Sequence, residues 1–133
     1  MSNAFTTGGR QWVAAALLGS LCLWGSVGAR HPAPVVPAAA SVALAELPAP
    51  ARSTYVRIHQ GGPFPHDKDG SVFGNYERQL PARRRGYYRE YTVRTPGVRG
   101  RGARRIVCGG APRTPDACYY TGDHYASFRL IAQ

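Results

Sequence analysis

Residues 71–131 read SVFGNYERQLPARRRGYYREYTVRTPGVRGRGARRIVCGGAPRTPDACYYTGDHYASFRLI. Five stretches within them, Ser71–Asn75, Tyr87–Arg94, Arg104–Cys108, Cys118–Thr121 and Tyr125–Ile131, are rich in Tyr, Val, Ile, Thr and Phe, with Gly- or Pro-containing turns between them. β-Branched and aromatic side chains suit a pleated, half-buried surface, so each stretch is predicted to be a strand. Ahead of them Leu47, Ala51, Tyr55 and Ile58 recur at intervals of four, four and three, one face of a short helix. Gly61-Gly62-Pro63 stops that helix, and residues 63–70 are turn chemistry throughout. One helix followed by a run of strands predicts an α+β domain. Its N-terminal helix should pack on a twisted antiparallel sheet of about five strands.

Working outward, residues 1–29 read as a secretory signal peptide: Arg10, a short apolar run from Trp12 to Val27, and small residues at Val27-Gly28-Ala29. The other reading is a membrane anchor, but Gly19, Ser20, Gly25 and Ser26 interrupt the run. Cys22 invites a lipoprotein reading, yet Leu21 stands where a small residue is needed. Residues 30–46, Pro/Ala-rich and nearly uncharged, are expected to be an extended, partly disordered linker or propeptide. Residues 47–133 then form the folded domain. Cleavage removes Cys22 and leaves Cys108 and Cys118, an even pair bound for an oxidising compartment, read as a disulfide staple between the ends of neighbouring strands. Two unpaired thiols in a hairpin are the alternative. The pair is too sparse for zinc, and no metal or cofactor is expected.

The formal net charge is +10, and Lys68 is the only lysine. Arginine in such excess argues for an anionic partner, since its planar fork grips phosphate with two parallel hydrogen bonds. A solvated basic surface accounts for composition equally well.

Four segments place polar groups inside strand-like patterns: Phe73–Glu77, Tyr87–Val93, Arg99–Arg105 and Tyr120–Tyr125. RNA carries its own nucleophile, the 2′-hydroxyl. Cutting it needs a base for that proton, an acid for the departing 5′-oxygen, and cations around the phosphorane. His124 is the only histidine inside a strand-end motif, and Glu90 is a carboxylate flanked by Tyr88, Arg89 and Tyr91. Arg101 and Arg105, four apart, can converge on one phosphate. On residue types alone, Glu90 could equally pair with surface arginines and His124 cap a turn.

From Leu47 onward the chain resembles the microbial guanyl-specific ribonucleases, the family of barnase, and their streptomycete branch in particular. The resemblance rests on GGPFPHDKDGSVFGNYE, GYYREYTVRTPGVRGRGARRI and YYTGDHYASFRLI, three blocks in the family's order. It implies that Glu90 is the general base and His124 the general acid. It places phosphate contacts on Arg101, Arg105 and Tyr125, and guanine recognition on Phe73 to Glu77. There backbone amides and Asn75 would hold the guanine carbonyl, Glu77 would accept from the ring N–H and amino group, and Phe73 would position the loop or simply pack. Tyr76 stands where relatives commonly carry arginine, and Gly74 replaces a polar residue. The family's terminal disulfide has no cysteines here. Arg83-Arg84-Arg85 is an unusually basic loop, either an RNA attractant or a solvated turn, with the balance on the turn.

The implied activity is metal-independent cleavage of single-stranded RNA 3′ of guanosine, through a 2′,3′-cyclic phosphate to a 3′-phosphate. DNA, lacking the nucleophile, should be inert. A secreted monomer without stable membrane association is expected, with a small acidic inhibitor of the barstar type as protein partner. The competing class is a cationic binding or antimicrobial protein without turnover, for which Glu90 and His124 would be dispensable.

Overall fold

The computed structural model describes residues 40–133; the expected signal peptide and most of the expected linker lie outside the described residues. Six strands form one sheet in the order β1-β6-β5-β4-β3-β2. They are β1 (Ser41–Ala43), β2 (Ser71–Val72), β3 (Tyr88–Thr92), β4 (Arg105–Ala111), β5 (Thr114–Thr121) and β6 (Arg129–Ala132). The helix α1 runs from Ala49 to Gln60.

The helix ends as its sequence dictates. Gly61 adopts a left-handed φ of 82° and its N–H caps the carbonyls of Arg57 and Ile58. Ala51, Tyr55 and Ile58 are buried as expected, together with Leu47, which precedes the helix. They pack on one face of the sheet against Tyr91, Val93, Ile106 and Tyr120. The opposite face carries a second cluster of Leu80, Tyr88, Val107, Tyr119 and Phe128. Covering on both faces explains why β4 is buried over five consecutive residues instead of alternating.

Three expectations are corrected. The sheet has six strands and is mixed, because β1 pairs parallel to β6, with Val42 opposite Ile131. Ser41–Ala43 and a 3-10 turn at Leu44–Glu46 therefore belong to the fold, inside the stretch read as linker. The tripeptide Ser-Val-Ala carries no strand signal of its own; β6 creates it. The strand expected over Tyr125–Ile131 begins only at Arg129, because His124 and Tyr125 have positive φ values of 55° and 70°.

Cys108 and Cys118 are bonded, buried and directly opposed across β4 and β5, so the staple crosses the middle of the hairpin. What read as a nine-residue loop is mostly strand. A register shift at Gly109/Gly110, with Gly110 at φ 99°, carries the ladder on to Ala111 and Thr114, leaving Pro112-Arg113 as the turn.

Candidate active site

β3, β4 and the segment after β5 converge on Glu90. Its side chain points to the Leu80–Phe128 face, as alternation from Tyr88 requires. Arg101 Nη2 donates to Glu90 Oε1 at 2.9 Å, and the Tyr125 hydroxyl donates to Oε2 at 2.5 Å. Arg105 Nε donates to the same tyrosine oxygen at 3.1 Å. Arg101 is aimed by its Nε, which donates to Thr92 Oγ1 at 2.9 Å. Arg105 is 2% exposed, and its Nη1 donates to the carbonyls of Arg101, Gly102 and Arg104. A buried guanidinium needs nearby negative charge. Here Glu90 supplies it through the Tyr125 phenol. Burial, reinforced by the hydrogen bond to Glu90, raises the Tyr125 pKa, so this hydroxyl stays protonated and donating.

His124 lies exposed at the rim. Its ring is 5.0 Å from that of Tyr125, and its backbone N–H donates to Ala103 O at 3.1 Å, fastening its turn to the arginine loop. Asp123 builds the turn. Its carboxylate accepts from Thr121 Oγ1 at 2.8 Å and from the backbone and hydroxyl of Ser127 at 2.9 and 2.5 Å. The Ser127 hydrogen bonds, then Thr121, hold the Asp123 pKa down to about 2.

Beside this network lies a cleft of about 440 Å³ whose walls include Phe73, Tyr76, Glu77, His124, Tyr125 and Phe128. Phe73 stacks on Tyr125 at 5.2 Å and meets Phe128 edge-on at 5.9 Å. It packs on these rings and lines the cleft. Tyr76 is 82% exposed, and a β-carbon on Gly74 would sit 2.5 Å from its ring. A larger residue at position 74 would require this exposed ring to move.

Asn75 differs from expectation. At φ 51°, its Nδ2 donates to Leu80 O at 2.9 Å and its Oδ1 accepts from Leu80 N at 3.0 Å. The side chain braces the loop through one N–H and its oxygen. The structure thus brings Glu90, Arg101, Arg105, Tyr125 and His124 together, with Phe73, Tyr76 and Glu77 alongside.

Sequence reasoning missed Phe128, Asp123 and Asp69, whose Oδ1 accepts from Thr92 N at 2.7 Å. An aspartate within a Gly-containing turn is a capping signal, and TGDH carried it. Phe128 fell within the strand expected over Tyr125–Ile131 but was not assigned to the site, and in the structure it precedes β6.

A ribonuclease family profile matches residues 32–132. The chain is 53% identical over 93 residues to guanyl-specific ribonuclease Sa of Kitasatospora aureofaciens, covering 70% of this chain and 94% of that protein. It is 52% identical over 89 residues to guanyl-specific ribonuclease St of Saccharopolyspora erythraea, covering 67% of this chain and 84% of that protein. Among solved structures, ribonuclease Sa2 in complex with mononucleotides superimposes with a TM-score of 0.68 at 44% identity, over 73% of this chain and 97% of that one. Ribonuclease Sa2 with guanosine-2′-cyclophosphate gives a TM-score of 0.65 at 44% identity, over 71% and 97% of the two chains.

Proposed function

The chain belongs to the guanyl-specific ribonuclease family, and from that premise we propose that it cleaves single-stranded RNA after guanosine with Glu90 as base and His124 as acid. The observation that carries the reading is the Glu90 carboxylate. One oxygen rests on a guanidinium and the other on a phenol that Arg105 also holds, with an imidazole beside that phenol.

A phosphate entering between Arg101 and Arg105 meets the carboxylate on one side and the imidazole on the other. Glu90 takes the 2′-hydroxyl proton, and the freed oxygen attacks phosphorus in line. His124, cationic, protonates the 5′-oxygen as its bond to phosphorus breaks, leaving a guanosine 2′,3′-cyclic phosphate. Water then adds with the two roles exchanged, giving the 3′-phosphate. The guanidinium groups neutralise the phosphorane, so no metal is required, and DNA has no 2′-hydroxyl to attack.

Guanine preference rests on Glu77. Its carboxylate, exposed on the cleft rim, loses water only when a base covers it, and guanine's Watson–Crick edge offers it two donors. Adenine presents an acceptor there and leaves the desolvated charge unpaired, which costs several-fold to many-fold in rate. The guanine carbonyl is left to backbone amides of the loop. Among the described residues, the N–H groups of Tyr76 and Glu77 bond no protein acceptor.

Secretion is supported by the composition of residues 1–29, and recovery of a shortened chain from culture medium would test it. A strongly basic monomer suits a small acidic inhibitor of the barstar type, to be sought by co-purification.

The test compares guanylyl- and adenylyl-containing dinucleotides with wild type and Glu90→Gln, with and without chelator. Guanosine-only cleavage, unaffected by chelator and reduced to a weak residue in the variant, is expected. Equal cleavage of both dinucleotides, or of DNA, overturns the proposal.

A further inference from the structure

The loop between the recognition segment and β3 contains Arg83-Arg84-Arg85 and borders a cleft of about 600 Å³, walled also by Tyr87, Gly110 and Asp116. All three arginines are exposed, and the Arg83 guanidinium lies 5.1 Å above the Tyr87 ring. That ring is fixed in turn: its hydroxyl donates to Asp116 Oδ2 at 2.9 Å, and it meets Tyr88 edge-on at 4.9 Å. The Tyr88 hydroxyl donates to Pro81 O at 2.6 Å, tying the loop to the sheet. Asp116, the carboxylate of this cleft, is committed to the phenol, and three arginines outweigh it. Guanidinium groups interleaved with an aromatic face are what a single-stranded nucleic acid uses, phosphate on the fork and base on the ring.

Its position gives direction. Tyr87 packs against the same cluster as Phe73 and Tyr125, so this site shares a face with the catalytic network. Tyr87 lies three residues before Glu90, about 10 Å along the strand. The recognition loop sits between them, with Phe73 N donating to Tyr88 O and Asn75 clasping Leu80. The Arg83–Arg85 loop leads into Tyr87, on the Tyr88 side of Glu90 and beyond the recognition loop, leaving it on the path of a strand that runs 5′ from a guanosine held there. Resting on the guanosine reading above, we propose that Arg83, Arg84, Arg85 and Tyr87 form a second RNA-binding site that takes the nucleotides 5′ to the cleaved guanosine. The loop has no apolar anchor for a membrane surface: the exposed large apolar side chains among the described residues, Val56, Val72, Tyr76 and Val98, all lie elsewhere.

The test uses the hexamers AAAAGA and GAAAAA and the dinucleotide GpA, with wild type and the triple variant Arg83→Gln/Arg84→Gln/Arg85→Gln, after near-UV circular dichroism verifies its fold. The variant should lose about tenfold in kcat/KM on AAAAGA, carried by KM, and change by less than about twofold on GAAAAA and GpA. Its log–log salt slope on AAAAGA should flatten by about 0.7 for each phosphate that the variant no longer neutralises. Binding of AAAAGA with deoxyguanosine at the cleavage point, read by fluorescence anisotropy, needs no turnover. It should weaken to the same extent. If wild type fails to cut GpA, the guanosine reading fails, while the anisotropy comparison still decides this site. Equal losses on all substrates, a loss confined to GAAAAA, or unchanged hexamer binding overturns it. So does loss of phosphatidylserine-vesicle binding with hexamer binding intact.

Discussion

Replacing Tyr125 by Phe removes one oxygen and keeps the ring that stacks on Phe73 and neighbours His124. That oxygen donates to Glu90 and accepts from Arg105, a residue only 2% exposed. Hydrogen bonds to charged groups contribute about 1.5–3 kcal/mol each when dry. Tyr125 is half-buried, so water replaces part of the loss and a net destabilisation of about 2 kcal/mol is expected. For a domain of this size that lowers Tm by roughly 8–16 °C. The assay is thermal unfolding of Tyr125→Phe, Glu90→Gln and the double variant. Because the hydroxyl links the carboxylate to the buried cation, the two losses should couple by about 1 kcal/mol or more. Additive losses, or a Tyr125→Phe effect below about 0.5 kcal/mol, would mean that water already bridges these groups and Arg105 is balanced otherwise.

Asp123→Asn should loosen the turn that carries His124 and lower Tm by a few degrees at neutral pH. Because the folded pKa is depressed to about 2, the carboxylate's contribution is present above the unfolded value near 3.8 and lost as pH falls toward 2. The Tm gap between wild type and variant should close over that interval; a gap unchanged down to pH 2 refutes the assignment. Opening the Cys108–Cys118 loop, ten residues in separation, should cost about 2.7 kcal/mol by loop-closure entropy. Cys108→Ala/Cys118→Ala should therefore unfold at visibly lower denaturant than wild type. Glu77→Gln should reduce guanosine-over-adenosine discrimination by roughly 30–150-fold, about 2–3 kcal/mol of lost transition-state binding, read as the ratio of kcat/KM on the two dinucleotides.

The helix, its glycine stop and the five antiparallel strands were legible because local chemistry and tertiary outcome agree in them. Gly61 must cap, and Tyr88 to Thr92 must pleat. β1 was not, because only pairing with β6 makes Ser41–Ala43 a strand. The hairpin around Gly109-Gly110 misled, since two glycines read as a turn when they mark a bulge. In the candidate site, the family motifs pointed to Glu90, His124 and the arginines, where residue type alone left a surface ion pair and a turn cap equally open. The use of Asn75 for bracing could not be read there, because an amide that binds backbone and one that binds a ligand are identical in sequence. Tyr125 as the bridge was equally hidden; its partners lie 20 and 35 residues away.

The division of proton transfer between Glu90 and His124 is tested most directly by the pH dependence of kcat/KM on GpA. Wild type should give a bell, because the carboxylate must be ionised and the imidazole protonated. Glu90→Gln should retain weak activity without the acid limb, and His124→Gln without the alkaline limb. A profile in which either variant keeps the limb assigned to the missing group would contradict the account.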